Sequence, residues 1–514
     1  MTAARTDPAP LLAAGVTLLL AAAVPAGAVP DGPELAAAGS CLFRGALDAA
    51  ACGGTEPFFW MPAFPLLSGL FTLFTDPWAA AHAAAAVVVG LLVVPLSSLG
   101  RRLGVAAPSW VAAALLVATP AVRELVAQPS GRGLAWLGIL GGASVVAGAR
   151  GCAAPLRRGV AVGALLALAI LSRREAVLQA VMVGLALVPL APRAAVAAGA
   201  TVTGLTAPWF VMLAAAAGGV RTSGRAWEPL VYAWDTVVPH EWLLMEISMG
   251  TWGTPLRSLV SRLPAGVSTT VLDPGVLVPW LQYALPVAVP AWLAALALAG
   301  AGLLVRSRAG RWSLGAAVAL AVPALPLALL PNARDVDLPS QNLHPVCLAA
   351  ILIGAVAAGE VLRWARERLP AGQVTAPALA ITLLAGLSMA NARWVAQVVP
   401  SEGRSPTTLT GAGAALAQDP GPVWTTLSSA PAARRADRPR AALPSPYRVG
   451  EASPGPAQRV LLTELDLPGA RRTLGALAGS LRPTTVLQDG DRWAVVFYVE
   501  ASPVSQAPVE QPRP

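Results

Sequence analysis

The stretch DGPELAAAGSCLFRGALDAAACGGTEPFFWMPAFPLLSGLFTLF, residues 31–74, is the long polar interruption near the start of an otherwise membrane-soluble sequence. An apolar run over residues 9–30 leads into it and delivers two carboxylates, Asp31 and Glu34, to a membrane surface. A helix of small residues is expected next, then a turn at Gly53-Gly54, then an aromatic and proline-rich return, PFFWMPAFPLL. Carboxylates at the mouth of a membrane helix are costly unless water, a cation or a reacting group meets them. Position alone therefore makes this loop the candidate site.

Composition sets the class. The 514 residues are 55% hydrophobic and 12% charged, and mean hydropathy is +0.62. Several apolar runs reach the roughly 20 residues needed to cross a hydrocarbon core of about 30 Å. The net charge of +9 comes from arginines that cluster between the apolar runs, which is the distribution of topology signals rather than of a nucleic-acid surface. The first apolar run is preceded by Arg5 and contains the small-residue segment VPAGAVP, but it is long for a signal core and reads as an uncleaved first span.

Spans are expected over residues 9–30, 77–98, 105–122, 132–149, 159–172, 175–192, 194–217, 276–305, 313–331, 343–362 and 374–397. With the N-terminus inside, every cytoplasmic connection carries arginine: Arg101 and Arg102; Arg150, Arg157 and Arg158; Arg193; Arg306, Arg308 and Arg311; Arg363, Arg366 and Arg368. The positive-inside rule favours that orientation over its reverse. Residues 159–192 as one helix would run roughly 50 Å, too long for the bilayer. Arg173, Arg174 and Glu175 also interrupt it, and each charge at mid-membrane costs about 2.5–3.5 kcal/mol. Two short helices meeting at the external surface are expected there.

Beyond these spans lie two external regions. The connection 218–275 carries Trp227, Trp234, Trp242 and Trp252 among acidic residues, as in segments lying in the headgroup layer. After a linker over 399–420, residues 421–500 show the patterns VWTTLS, RVLLTELDL, a helical RRTLGALAGSL, and TTVLQ joined to RWAVVFYVE through an Asp489-Gly490 turn; residues 501–514 read as a disordered tail. The expected fold is thus an all-α polytopic membrane bundle of about 11 transmembrane helices over residues 1–398, with external loop helices and a small C-terminal α/β extracytoplasmic domain.

The order of features carries a resemblance. PDGPELAAAGSCLFRG, then FFWMPAFPLLSGLFTLF, then SSLGRRLGVAAPSWVAAALLVATP, and later GALLALAILSRREAVL, together resemble the polyprenyl-phosphate-dependent C-type (GT-C) glycosyltransferases, the superfamily of protein O-mannosyltransferases and aminoarabinose transferases. The match runs in order over residues 9–217; single motifs are degenerate, and their order and spacing carry it.

The resemblance implies a multi-helix enzyme of the bacterial cytoplasmic membrane, N-terminus inside and C-terminus outside, that moves a sugar from a lipid phosphate carrier to an acceptor on the external face. Its partners would be the lipid-linked donor, an acceptor and membrane lipid, without nucleic acid. Asp31 sits where such enzymes keep the acidic residue of the first external loop, with Glu34 as its neighbour, and Arg173 or Arg174 where they keep an arginine after the fifth span. The residue types suit the chemistry. A carboxylate accepts a hydroxyl proton or holds a divalent cation, so a metal on Asp31 is compatible with this reading although no cofactor is required by it. Arginine pairs with phosphate in fork geometry. Two positions depart from the pattern: QPSGRG stands after the third span where an acidic residue is usual, and SQNLHP before the tenth where Arg-Tyr is frequent.

Each residue also has a plainer role. Asp31 and Glu34 fit a helix-capping pair, and Arg173, Arg174 and Glu175 fit a surface ion pair at a helix end. His344, at the outer end of the tenth span near Arg334 and Asp335, is a candidate donor contact, whereas His82 on an apolar helix reads as a packed polar residue. His240 with Glu241 and Glu246 lacks the second histidine of a zinc motif. Cys41 and Cys52, both in the first external loop, are expected to pair as a disulfide in an oxidising compartment. A transporter and a non-catalytic scaffold presenting the external domain are the alternatives. The first should carry charges near the midplane in repeated halves; against the second, Asp31 and the arginines should converge.

Overall fold

The computed structural model describes residues 7–24, 31–46, 61–127, 129–149, 154–173, 176–216, 285, 288–321 and 343–368, together with strand residues 423–425, 440–442, 459–463, 481–489 and 492–499. The helices are α1 (Ala9–Ala22), α2 (Asp31–Phe43), α3 (Ala63–Phe71), α4 (Pro77–Arg102), α5 (Pro108–Ala118), α6 (Pro120–Ala127), α7 (Gly131–Ala147), α8 (Pro155–Ser172), α9 (Ala176–Leu187), α10 (Pro192–Ala216), α11 (Ala291–Leu304), α12 (Arg308–Ala321) and α13 (His344–Arg368). Each of the first ten expected spans overlaps one of them; the span over 374–397, the linker, the tail and the loop 218–275 with its His240 group lie outside the described residues.

Length separates the helices. Among the described residues four are long and apolar enough to cross a membrane: α4, α8, Pro192–Met212 of α10, and α13. The pair α5 and α6 counts as a fifth if its bend is passed over, while α1, α7, α9 and α11 are apolar but shorter. The protein is therefore an integral membrane protein, and its described helices are a mixture of long and short ones. Burial sorts them again. The apolar windows of α4 and α13 are 67% and 72% buried inside the protein, that of α10 only 17%. Thus α4 and α13 are interior helices and α10 is a peripheral one.

α4 starts cleanly because Asp76 caps it, accepting from the backbone N–H of Trp78 at 2.9 Å and of Ala79 at 3.2 Å, with Pro77 in the first turn where no N–H is needed. Around it pack α1, α2, α3, α5 and α7. The hairpin of α2 and α3 lies on α4 through Leu35 and Phe64, which close over Ala84, Ala85, Val88 and Leu134. Small residues facing one another let helix backbones approach where no water drives association.

The third expected span is broken. Where a helix over 105–122 was expected, the chain turns by 71° between α5 and α6. Thr119 precedes Pro120 and is extended (φ −84°, ψ 122°), the conformation the following proline imposes. Pro120 has no N–H to continue the ladder. The groups freed by the break find other partners: the Thr119 hydroxyl donates to the Leu115 carbonyl at 2.6 Å, and Arg123 Nε donates to the Val117 carbonyl at 3.0 Å.

After the membrane region, β1 (Val423–Thr425), β2 (Arg440–Ala442), β3 (Arg459–Thr463), β4 (Leu481–Asp489) and β5 (Arg492–Val499) form one sheet in the order β2-β1-β3-β5-β4. β1 is parallel to both β2 and β3, and β5 is antiparallel to β3 and β4. The strands expected at VWTTLS, RVLLTELDL, TTVLQ and RWAVVFYVE are all present; β2 was not expected, and Leu481, expected to end a helix, opens β4. The rest of the expected helix lies outside the described residues.

Candidate functional site

The helix ends divide into two populations. At one end Arg101 reaches Asp7 at 3.5 Å, Arg102 donates to the Ala147 carbonyl at 3.3 Å, and Arg363 donates to the Gly104 carbonyl at 3.1 Å while pairing with Glu360 at 2.9 Å. These are residues of the expected cytoplasmic clusters. The opposite end gathers the C-termini of α1 and α8, the N-termini of α2, α4, α7 and α13, and the whole of α6. Every sequence-derived site candidate within the described residues belongs to this second end.

The chain there is drawn together around residues 129–131. A methyl placed on Gly32 would stand 3.4 Å from Pro129 Cβ and Cδ and from Ala81 Cβ, so the first turn of α2 rests directly on Pro129. Two residues on, a Cβ at Gly131 would run into the Ser172 carbonyl and stand 3.3 Å from Arg173 Cδ. Asp31, beside Gly32, and Arg173, which ends α8 in an extended conformation (φ −152°, ψ 132°), thus flank the same short connection. Asp31 is itself the first residue of α2, and Glu34 follows three positions later in the same helix. The side chains of both, and all of Arg174 and Glu175, lie outside the described residues. Replacing Gly131 by Ala should destabilise the protein by about 1–3 kcal/mol through overpacking against α8. A fall in thermal midpoint in detergent checks this; an unchanged midpoint would mean that the two segments are not in contact.

α6 stands behind this connection and is tied from two sides. His82 of α4 faces the Val126 carbonyl with Nδ1 at 3.2 Å and the Ala22 carbonyl with Nε2 at 3.3 Å, bridging α6 to the end of α1. A neutral ring donates to one of these carbonyls at a time and an imidazolium to both. His344 opens α13 and is 3% exposed; its Nε2 donates to the Ala121 carbonyl at 3.1 Å and lies 3.9 Å from Glu124 Oε2. Glu124 is 1% exposed, and Cys347, one turn along α13, is equally buried. His344, expected as a donor contact, thus faces inward to α6. His82, expected as a packed polar residue, is a bridge between three helices.

Glu124 is the residue that the sequence reading passed over. An acidic residue does follow the third span, four positions before the QPSGRG in which it was sought. The signal that marks it is the Arg123-Glu124 pair just beyond Pro120, too polar to continue a membrane helix. Cys41 is buried with a free thiol 3.6 Å from the Arg44 guanidinium. The disulfide expected between Cys41 and Cys52 therefore has one half in view, and that half is unpaired with another sulfur; Cys52 lies outside the described residues. Among the described residues no group of three or more His, Cys, Asp or Glu side chains is arranged to hold a metal ion.

This bundle of long and short membrane helices shares its fold with solved membrane oligosaccharyltransferase structures. The solved structures similar to it include the oligosaccharyltransferase AglB of Archaeoglobus fulgidus with an inhibitory peptide and a dolichol-phosphate, at 12% identity and TM-score 0.50 over 84% of this chain and 64% of that one. A second structure of the Archaeoglobus fulgidus enzyme, tethered to an acceptor peptide containing the NVT sequon, matches at 13% identity and TM-score 0.52 over 86% and 66%. ArnT of Cupriavidus metallidurans bound to undecaprenyl phosphate aligns over 95% of this chain and 97% of its own, at 15% identity and TM-score 0.43. The chain spans less than two thirds of the length of the archaeal chains it matches. No family model and no curated protein matches the sequence.

Proposed function

We propose that this protein is a membrane glycosyltransferase that passes a sugar from a polyprenyl-phosphate carrier to an acceptor at the extracytoplasmic face of a bacterial cytoplasmic membrane. The observation that supports this reading is the junction at residues 129–131, with the first turn of α2 on one side and the end of α8 on the other. In this reading the carboxylate-bearing turn and the arginine, from distant parts of the chain, serve one transfer from a phosphate-linked sugar. Asp31 takes the proton of the acceptor hydroxyl as its oxygen attacks the anomeric carbon. The bond from that carbon to the phosphate oxygen breaks, and the carrier leaves as the phosphate. The guanidinium of Arg173, or of Arg174 beside it, stabilises the charge that builds on the departing oxygen. Glu34 is the second carboxylate of this reading, and it supports Asp31 or shares a divalent cation with it.

The N-terminus is cytoplasmic and the C-terminal strands extracytoplasmic in this reading. A reporter fused after Arg102 should be cytoplasmic, and one fused after Val398 external. A tail protected inside spheroplasts would mean that the span count to that point is even, which would place the strands on the wrong side of the reaction. The direct test of function is to compare glycolipids and glycoproteins of cells with and without the gene. A glycan lost on deletion and restored by the native gene is the expected result; identical profiles with altered uptake or export of a solute would favour the transporter reading.

A further inference from the structure

We propose that Glu124 and His344 are a positioning pair that locks the bent helix α6 against α13 and thereby sets the place of the residue 129–131 junction between Asp31 and Arg173. Its catalytic part rests on the reading given above; its structural part does not.

The argument begins with the length of α6. Eight residues are too few for a helix to hold its own shape, so α6 is held by its partners. Those partners are specific. His344 donates to the Ala121 carbonyl in its first turn, His82 meets the Val126 carbonyl in its last, and Glu124 stands between, turned into the protein and facing His344. Glu124, 1% exposed, places Oε2 3.9 Å from His344 Nε2, a distance of ion-pair range and not of a direct hydrogen bond. Sequence separates the two residues by 220 positions, so the pair joins the late interior helix α13 to the early site loops.

What α6 controls follows from what comes next in the chain. Two residues beyond its end, Pro129 bears on Gly32, and Gly131 bears on Ser172 and Arg173. A shift of α6 moves both contacts. Reacting groups tolerate little displacement: a misplacement of about 1 Å costs on the order of 100-fold in rate. Glu124 lies on α6 and His344 opens α13, and in this proposal both act through α6 as positioning residues rather than catalytic ones.

The test uses the full chain purified in detergent, with Glu124→Gln, His344→Gln and the double variant. Transfer from a polyprenyl-phosphate sugar, per folded molecule, should fall about 10- to 100-fold in kcat for each single variant, with KM for the donor changed less than about twofold. The double variant should be no worse than the worse single, since the two residues act as a unit. A raised KM with kcat unchanged would make His344 a donor contact, and additive losses would make the two residues independent; either overturns the pairing. A second measurement requires no activity. With Cys41, Cys52 and Cys152 replaced by Ala, the buried Cys347 reports on the lock through its rate of alkylation by N-ethylmaleimide. The rate should rise about tenfold or more in Glu124→Gln, by the opening of a local contact; an unchanged rate overturns the lock whether or not the protein transfers sugar. Glu124→Asp, which keeps the carboxyl group, should stay near the native rate; if Glu124→Gln fails to fold, His344→Gln replaces it as the reporting variant with the same rise expected, and an unchanged rate there overturns the lock equally.

Discussion

Asp31→Asn should abolish measurable transfer while leaving folding and membrane insertion intact. The amide keeps the shape of the carboxylate at the first position of α2 but has no basic oxygen to receive the acceptor proton and binds cations weakly. Loss of general-base catalysis typically costs about 10²- to 10⁴-fold, or about 3–5 kcal/mol of barrier. A role limited to starting the helix predicts something else, a loss of about 1 kcal/mol in stability with turnover per folded molecule unchanged. The experiment is transfer from a polyprenyl-phosphate sugar by the purified variant, normalised to folded protein. Turnover near that of the native protein would remove Asp31 from the mechanism and leave Glu34, one turn on, as the residue to replace next.

The second large effect is expected at the end of α8. Arg173→Gln should lower kcat about 10²- to 10³-fold, the cost of removing one charge-stabilising donor from a reaction centre. The argument is geometric as well as chemical. Arg173 leaves the helix in an extended conformation, and its stem lies against Gly131, on the same connection that supports the first turn of α2. Lysine at this position should restore only part of the rate, because a point charge does not reproduce the two parallel donors of the guanidinium. If Arg173→Gln leaves kcat unchanged and Arg174→Gln lowers it, the phosphate contact belongs to the neighbouring residue. If neither matters, the arginines only mark the end of two short helices, and the reaction drawn here lacks its stabilising charge.

The two replacements differ in what they say about the junction. Asp31 tests the acceptor side and Arg173 the leaving-group side, so a fall in both with an intact thermal midpoint ties the two sides to one reaction. Gly131→Ala, which lies between them, should affect stability first, since its Cβ meets backbone rather than a side chain able to move aside.

Much of this architecture is written locally. A segment crossing lipid must satisfy its own backbone and carry an apolar surface over its whole length, so hydropathy alone locates the helices from α4 to α13. Charge sorts their ends: Arg101, Arg102 and Arg363 fall together at one face because charged residues are excluded from the hydrocarbon between them. The break at Arg173 and the start of α2 at Asp31 are legible for the same reason, since each is a polar group at the edge of an apolar run. The strands from β3 to β5 are legible through alternation. Helix length was not. α1, α9 and α11 are shorter than their apolar runs, because hydropathy reports where a residue is tolerated and not where the hydrogen-bonded ladder ends.

What only the tertiary structure decided is how those ends meet. Pro120 is visible as a breaker, but the place of α6 after the 71° turn depends on Arg123, which bonds the Val117 carbonyl at the break, and on His82 and His344, which bond carbonyls of α6 from other helices. Glu124 was passed over because its partner lies 220 residues away, and no local pattern encodes a contact of that range. His82 gave no sign that both its nitrogens face carbonyls on different helices. The sequence by itself therefore determined a membrane protein and the places of most of its described helices, and it marked the acidic and basic residues proposed for the site. Packing decided which of those residues face one another, because proximity across helices is set by the shapes of small side chains at their crossings and not by the order of residues along any one of them.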